Sequence, residues 1–163
     1  MKPIRFLTFV FLLGACATGT IGLRPGESTE ADVLRAMGRP AQQLPGASGT
    51  HTLVYPTGPL GTQTFMVAVD RDGRLRSLEQ VLDEEHLMRI QTGSSTQDDV
   101  SRLIGPPSRT VDFTRRNQVA WIYRFRDTWG YLADFTVSFD PRGVVADKVT
   151  VRIDPSGNRG DGR

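Results

Sequence analysis

The chain has 163 residues, 38% of them apolar and 23% charged, which excludes both a disordered polar polymer and a protein made mainly of membrane spans. Its 20 Lys plus Arg stand against 18 Asp plus Glu, and the two counts become equal once Lys2 and Arg5 leave with an amino-terminal leader, so no basic field marks a nucleic-acid partner. The single cysteine, Cys16, excludes an internal disulfide.

That leader is the first element in chain order. Lys2 and Arg5 precede an apolar run from Phe6 to Leu13, and Leu13-Gly14-Ala15-Cys16 follows directly. The run is too short to cross a bilayer as a helix and predicts a secretory signal over residues 1–15. Its Leu-Gly-Ala-Cys ending resembles the lipobox of bacterial lipoproteins. The resemblance implies a diacylglycerol on the Cys16 thiol, cleavage just before it, an acylated new amino terminus and, with non-acidic Ala17 next, an outer-membrane destination. Several acyl chains on one residue anchor stably where a single chain does not. An ordinary cleaved signal with an incidental cysteine is the alternative. Residues 16–25 then form a short tether, Gly-containing and closed by Pro25.

Next comes a fifteen-residue stretch that occurs twice. Gly26 to Pro40 reads Gly-Glu-Ser-Thr-Glu-Ala-Asp-Val-Leu-Arg-Ala-Met-Gly-Arg-Pro, and Gly93 to Pro107 reads Gly-Ser-Ser-Thr-Gln-Asp-Asp-Val-Ser-Arg-Leu-Ile-Gly-Pro-Pro, with eight of fifteen positions identical. Each copy predicts a helix of about two turns. Thr29 and Thr96 are its N-caps, and Asp32 and Asp99 three residues later complete a capping-box-like pair at the positive end of the helix dipole. Gly38 and Gly105 close the helix, and Pro40 and Pro107 forbid its continuation. Val33, Ala36 and Met37 correspond to Val100, Leu103 and Ile104, an apolar stripe at i, i+3, i+4. A helix this short needs packing partners, and the repeat implies that the partners also occur twice.

Alternation and turn chemistry supply those partners. In the first unit, residues 26–81, strands are expected at Thr50 to Tyr55, Thr62 to Asp70 and Arg74 to Leu78, the last two joined by the hairpin turn Asp70-Arg71-Asp72-Gly73. In the second, residues 82–154, a linking helix over Leu82 to Ile90 precedes the repeated motif. Strands follow at Gln118 to Arg126, Tyr131 to Asp140 and Val144 to Ile153, with turns at Asp127 to Gly130 and at Asp140-Pro141-Arg142-Gly143. Trp121, Tyr123 and Phe125 share one sheet face with Phe135, Val137 and Phe139, while Val145, Val149, Val151 and Ile153 are expected together on one side of the last strand. The opposite face would then carry Arg124, Thr136, Ser138, Lys148, Thr150 and Arg152, facing water or a partner. Residues 155–163 form a Gly-rich polar tail expected to be disordered. The fold class is thus α+β: two tandem units, each a short helix or helix pair with a three-stranded antiparallel sheet.

No catalytic constellation is visible, and neither a metal, a cofactor nor an enzyme activity is expected. His51 and His86 are isolated and read as surface histidines. Asp70-Arg71-Asp72-Gly73 lacks the acidic residue that a calcium loop needs at its twelfth position, which is Val81. Arg124, Arg126, Trp129 and Tyr131 are the candidate partner-binding residues. Trp129 and Tyr131 sit in a turn beside an arginine, either as binding anchors or as caps on the edge of the core.

The order Gly-x-Ser/Thr, short helix, Gly-x-Pro, aromatic strand and Asp-x-x-Gly resembles the SmpA/OmlA (BamE-like) family of small outer-membrane lipoproteins. Leu82 to Ile90 corresponds to that family's first helix, Gly93 to Pro107 to its signature and Trp121-Ile122-Tyr123 to its aromatic strand. The first unit matches at Gly26 to Pro40 and at Leu53-Val54-Tyr55 but has no room for the first helix, and two copies stand where one is the familiar form. The resemblance implies a lipid-anchored, periplasm-facing protein-binding module of the outer membrane, with partners among barrel-assembly subunits. The tandem plan is also similar to the β-lactamase inhibitor protein, whose two units form one curved sheet, which implies an inhibitor or regulator of an envelope enzyme.

Overall fold

The computed structural model describes residues 22–58, 60–114 and 117–153. The leader, Cys16, most of the tether and the tail from residue 154 lie outside the described residues. Helix α1 (Glu30–Met37) is followed by strands β1 (Gln42–Pro45), β2 (His51–Pro56), β3 (Thr64–Val69) and β4 (Leu75–Gln80), which hydrogen-bond in that order as an antiparallel sheet. Helices α2 (Glu84–Met88) and α3 (Gln97–Ile104) lead into β5 (Arg109–Phe113), β6 (Gln118–Arg126), β7 (Leu132–Phe139) and β8 (Val145–Arg152), a second sheet of the same order. The α+β tandem plan is therefore the observed one.

Each sheet has four strands rather than three. The added strands, β1 and β5, are the outer ones beside β2 and β6. Gln42-Gln43-Leu44-Pro45 and Arg109-Thr110-Val111-Asp112-Phe113 hold few apolar residues because an edge strand packs on one side only, so the alternation that marks central strands is faint in them. The linking helix is shorter than expected, running only over Glu84–Met88 behind its N-cap, Asp83. The sheets are separate, so among the described residues the single curved sheet implied by the inhibitor resemblance is not formed.

The repeated motif does in space what its spacing implies. Thr29 Oγ1 accepts from the Asp32 N–H at 3.3 Å while Asp32 accepts from the Thr29 N–H at 3.0 Å, and Thr96 and Asp99 repeat the pair at 3.2 and 2.9 Å. Ahead of each cap, the Gly26 and Gly93 N–H groups donate to Leu75 O and Val145 O, both at 2.8 Å, clamping the motif to the last strand of its own unit. Both glycines have φ near 80°, a conformation that costs glycine little. At the far end, Tyr55 Oη donates to Gly38 O and Tyr123 Oη to Gly105 O, each at 3.1 Å. Burial lifts the Tyr123 hydroxyl far above its ordinary pKa, so it stays a neutral donor.

The two sheets have separate cores. Val33 of α1 lies among Leu53, Tyr55, Val67, Val69 and Leu75 on one face of the first sheet, while Val100 and Ile104 of α3 lie among Tyr123, Phe125, Phe135, Val137 and Phe139. Leu23, at the end of the tether, also packs against the first cluster.

The outer face of the first sheet is covered by the second unit. Val54 pairs with Met66, on the side opposite the core, yet it is fully buried. Gly105 comes so close that a Cβ there would lie 3.1 Å from Val54 Cγ1 and 2.9 Å from Thr64 Cγ2. Arg102 Nη1 donates to Pro45 O at 3.2 Å, and Ser101 Oγ meets Gln42 Oε1 at 3.5 Å. The layers thus run α1, first sheet, α2 with α3, second sheet.

One expectation about the second sheet is overturned. The register shifts between Ser138 and Phe139, where Phe139 opposes Val145 but Ser138 opposes Asp147, leaving Ala146 as an extra residue. Such a bulge inverts the facing of everything beyond it. Lys148, Thr150 and Arg152 therefore oppose Val137, Phe135 and Ala133 on the helix side, and Val149 and Val151 oppose Thr136 and Asp134 on the outer face. The outer face is not the basic surface expected: of its expected cations Arg124 alone remains with Thr136 and Ser138, beside two exposed valines.

Candidate functional site

Three turns of the chain share the pattern Asp-x-x-Gly. In each, the aspartate N–H donates to the carbonyl four residues on, and the glycine N–H donates back to the aspartate carbonyl. In the hairpins the carboxylate also collects N–H groups: Asp70 Oδ1 from Asp72 and Arg74 at 2.9 and 2.8 Å, and Asp140 Oδ1 from Arg142 and Val144 at 2.9 and 3.0 Å. Both acids act as turn formers, their Oδ1 atoms collecting the N–H groups of the turn.

The third turn, Asp127 to Gly130 between β6 and β7, is the one that exposes aromatics. Asp127 is buried and accepts from the Trp129 N–H at 3.0 Å, the Tyr131 N–H at 2.9 Å and Arg152 Nε at 2.5 Å. Burial pushes its carboxyl up, but the Tyr131 N–H, Arg152 and the Trp129 N–H together hold it below the ordinary carboxylate range. Arg152 also lies 5.1 Å from the Tyr131 ring centroid, over its face. Arg126 Nη1 donates to Gly130 O at 2.9 Å, and Thr128 Oγ1 donates to Glu84 of α2. Held from several sides, the turn carries Trp129 with 78% of its surface exposed and Tyr131 with 58%. An indole projecting from a backbone held in this way has few rotatable bonds to freeze on docking, which suits it to anchoring a partner.

The structure thus gathers Arg126, Trp129 and Tyr131 at one turn. Arg124 lies apart on the outer sheet face, gripping Asp134 through Nε at 2.9 Å and Nη2 at 3.1 Å. A guanidinium committed to two carboxylate bonds is less available to a ligand. Asp127 and Arg152 build the turn; the sequence marks Asp127 only as the first residue of a turn and places Arg152 on the outer face. Arg152 reaches the turn because the bulge puts it on the helix side.

Both histidines depart from the surface positions expected of them. His86 is buried at the junction of the units, its Nδ1 2.8 Å from Asp83 Oδ1 and its Nε2 3.4 Å from Glu79 Oε1. Desolvation pushes Asp83 up, yet its bonds to His86 prevail and hold it below the usual range. His51 is half-buried with Nε2 3.2 Å from Glu30 Oε2, within ion-pair distance but without hydrogen-bond geometry. Each histidine is a short-range partner for carboxylates within the scaffold. The remaining motif residues, Gly26, Thr29, Asp32, Gly38, Pro40 and their counterparts Gly93, Thr96, Asp99, Gly105 and Pro107, belong to the same scaffold.

Two hollows adjoin these elements. A cleft of about 190 Å³ opens between the β2–β3 loop and Pro106, Pro107 and Tyr123, and its lining is mostly apolar. A second, of about 350 Å³, lies between α2 and β8, bordered by Leu87, Met88, Phe125, Phe135 and Lys148. Neither joins a nucleophile to a base, and among the described residues no group of three or more His, Cys, Asp or Glu could hold a metal. No helix among the described residues is long and apolar enough to cross a membrane.

Comparison with known proteins adds one family. Residues 79–148, which run from the end of β4 into β8, match the family model described as the outer membrane protein assembly factor BamE domain. No curated protein matches the chain. Among solved structures, a DUF4309 family protein (YjgB) from Bacillus subtilis is 18% identical, with 82% of this chain and 83% of that one covered and a TM-score of 0.31.

Proposed function

We propose, from the BamE-domain match at residues 79–148, that the chain is an outer-membrane lipoprotein anchored through Cys16, which acts in the periplasm as a protein-binding accessory to β-barrel assembly. That match is the observation that carries the proposal. The lipobox-like Leu13-Gly14-Ala15-Cys16 supports the anchor, and the turn bearing Trp129 supplies a rigid aromatic contact for an envelope partner. The work asked of the fold is recognition: its acids cap helices and close turns, and its histidines pair with scaffold carboxylates.

The test is genetic and compositional. Deleting the gene is expected to lower the amounts of folded outer-membrane barrels and to sensitise cells to detergent, and a copy carrying Cys16→Ala should not restore either. Unchanged barrel levels and unchanged detergent resistance in the deletion strain would overturn the proposal. Mass spectrometry of the mature amino terminus checks the acylation separately.

A further inference from the structure

The internal interface between the units has two halves, and each is present once more without a partner among the described residues. Its helical half is the side of α3 that turns Ser101 and Gly105 toward the first sheet, beside Leu103, which packs on the core of its own unit and borders the gap. The same motif positions in α1 are Leu34, Ala36 and Gly38, all exposed, with Leu34 showing 41% of its surface. Its sheet half is the outer face of the first sheet around Val54 and Met66. The matching registers put Ile122 and Thr136, both half-buried, at those places on the outer face of the second sheet. Phe113, Val149 and Val151, also on that face, are exposed. Within one molecule the first sheet and the α2–α3 layer separate α1 from this face, so the two halves can meet only between molecules.

We propose that α1 of a second copy of this chain seats on the outer face of the second sheet as α3 seats on the first. What argues for this occupant is continuity with an interface the molecule already makes: the helix offered is the same fifteen-residue motif, and the sheet offered has the same register. Ile122 replaces Val54 as the apolar floor. Asp134, paired with Arg124, replaces Thr64 opposite the helix-closing glycine. Gly38 has no Cβ to crowd that ion pair, and Arg39, where α3 continues with Pro106, brings a cation toward Asp134. Because a helix face meets a sheet face, the contact is heterologous, and each added molecule presents a fresh half for the next.

Cysteine cross-linking of the full-length chain in envelopes tests the arrangement. Ala36→Cys and Thr136→Cys in one chain should give a ladder of dimers, trimers and longer species with a short bismaleimide, beyond anything the parent chain gives. Mixing two chains that each carry one of the substitutions should give dimers only, and adding Leu34→Glu to the double variant should remove the ladder. The proposal is overturned if both cysteines label with a maleimide in folded protein but no ladder forms. It is equally overturned if Ala36→Cys alone gives dimers, because helix would then be meeting helix.

Discussion

Gly38 and Gly105 hold the same place in the repeated motif, with φ of 77° and 82°, and both close a helix at a carbonyl bonded to a strand tyrosine. Gly38 is exposed, whereas Gly105 is buried against Val54 and Thr64 of the other unit. The contrast separates two demands that one conserved-looking pattern would otherwise merge. Backbone geometry requires a glycine in both copies, and only the second copy adds the requirement of close approach. Similar pairs follow along the helix, with Leu34 and Ala36 exposed in α1 but Ser101 and Leu103 half-buried in α3. The motif builds the unit, and the positions where its copies differ in burial mark the joint between units.

The largest test of this contrast replaces each glycine by alanine. Both variants lose about 1–3 kcal/mol from the positive φ alone. Gly105→Ala should lose about 1–3 kcal/mol more, because its Cβ would press on Val54 and Thr64. Urea unfolding of the two variants side by side measures the gap, and equal losses would break the comparison. Next in size is Val54→Ala, which removes fully buried apolar atoms at the joint and should cost about 2 kcal/mol. Ile122→Ala, at the matching place on the outer face of the second sheet, should cost clearly less in dilute monomeric protein.

Smaller again, and equal in the two copies, is the effect of removing the caps. Thr29→Ala and Thr96→Ala should each cost about 1 kcal/mol, since both capping boxes are intact and neither threonine helps to form the joint. A markedly larger loss at one site would mean that the helices differ in more than burial. The smallest effect concerns the aromatic turn, which the first unit lacks. Because the Asp127 carboxyl is held below the ordinary carboxylate range, its contribution to stability is complete above that range and is lost as pH falls through the lower, folded-state pKa. The Trp129 and Tyr131 amide resonances should titrate together at a pH below the ordinary carboxylate range, and Arg152→Ala should move that transition upward.

Much of the scaffold was legible because its signals are local. Caps, helix-closing glycines and Asp-x-x-Gly turns act within four residues, and all appear where their spacing places them. The edge strands β1 and β5 were not, because a strand packed on one side and short of apolar residues has little period to detect. The bulge misled for a different reason. Val145, Val149 and Val151 share a parity in sequence, but Ala146 breaks that parity in space. The first unit held the clue: Leu75 and Leu78 both face its core, opposite Val69 and Val67, and a spacing of three is incompatible with an unbroken strand. The burial of His86 was invisible for want of any sequence sign that α2 would lie on the first sheet. Of the candidate site, the exposed aromatic turn could be read from its spacing, while the buried Asp127–Arg152 pair that stiffens it depended on the register.

The proposal that the chain binds the barrel-assembly machinery is tested most directly by cross-linking the tagged, full-length protein in intact envelopes and identifying what is captured. Barrel-assembly subunits should be recovered with the parent chain and depleted with Trp129→Ala, a surface change expected to alter stability by no more than about 0.5 kcal/mol. Recovery of no such subunit, from envelopes in which the protein is folded and present at its normal level, would contradict the account.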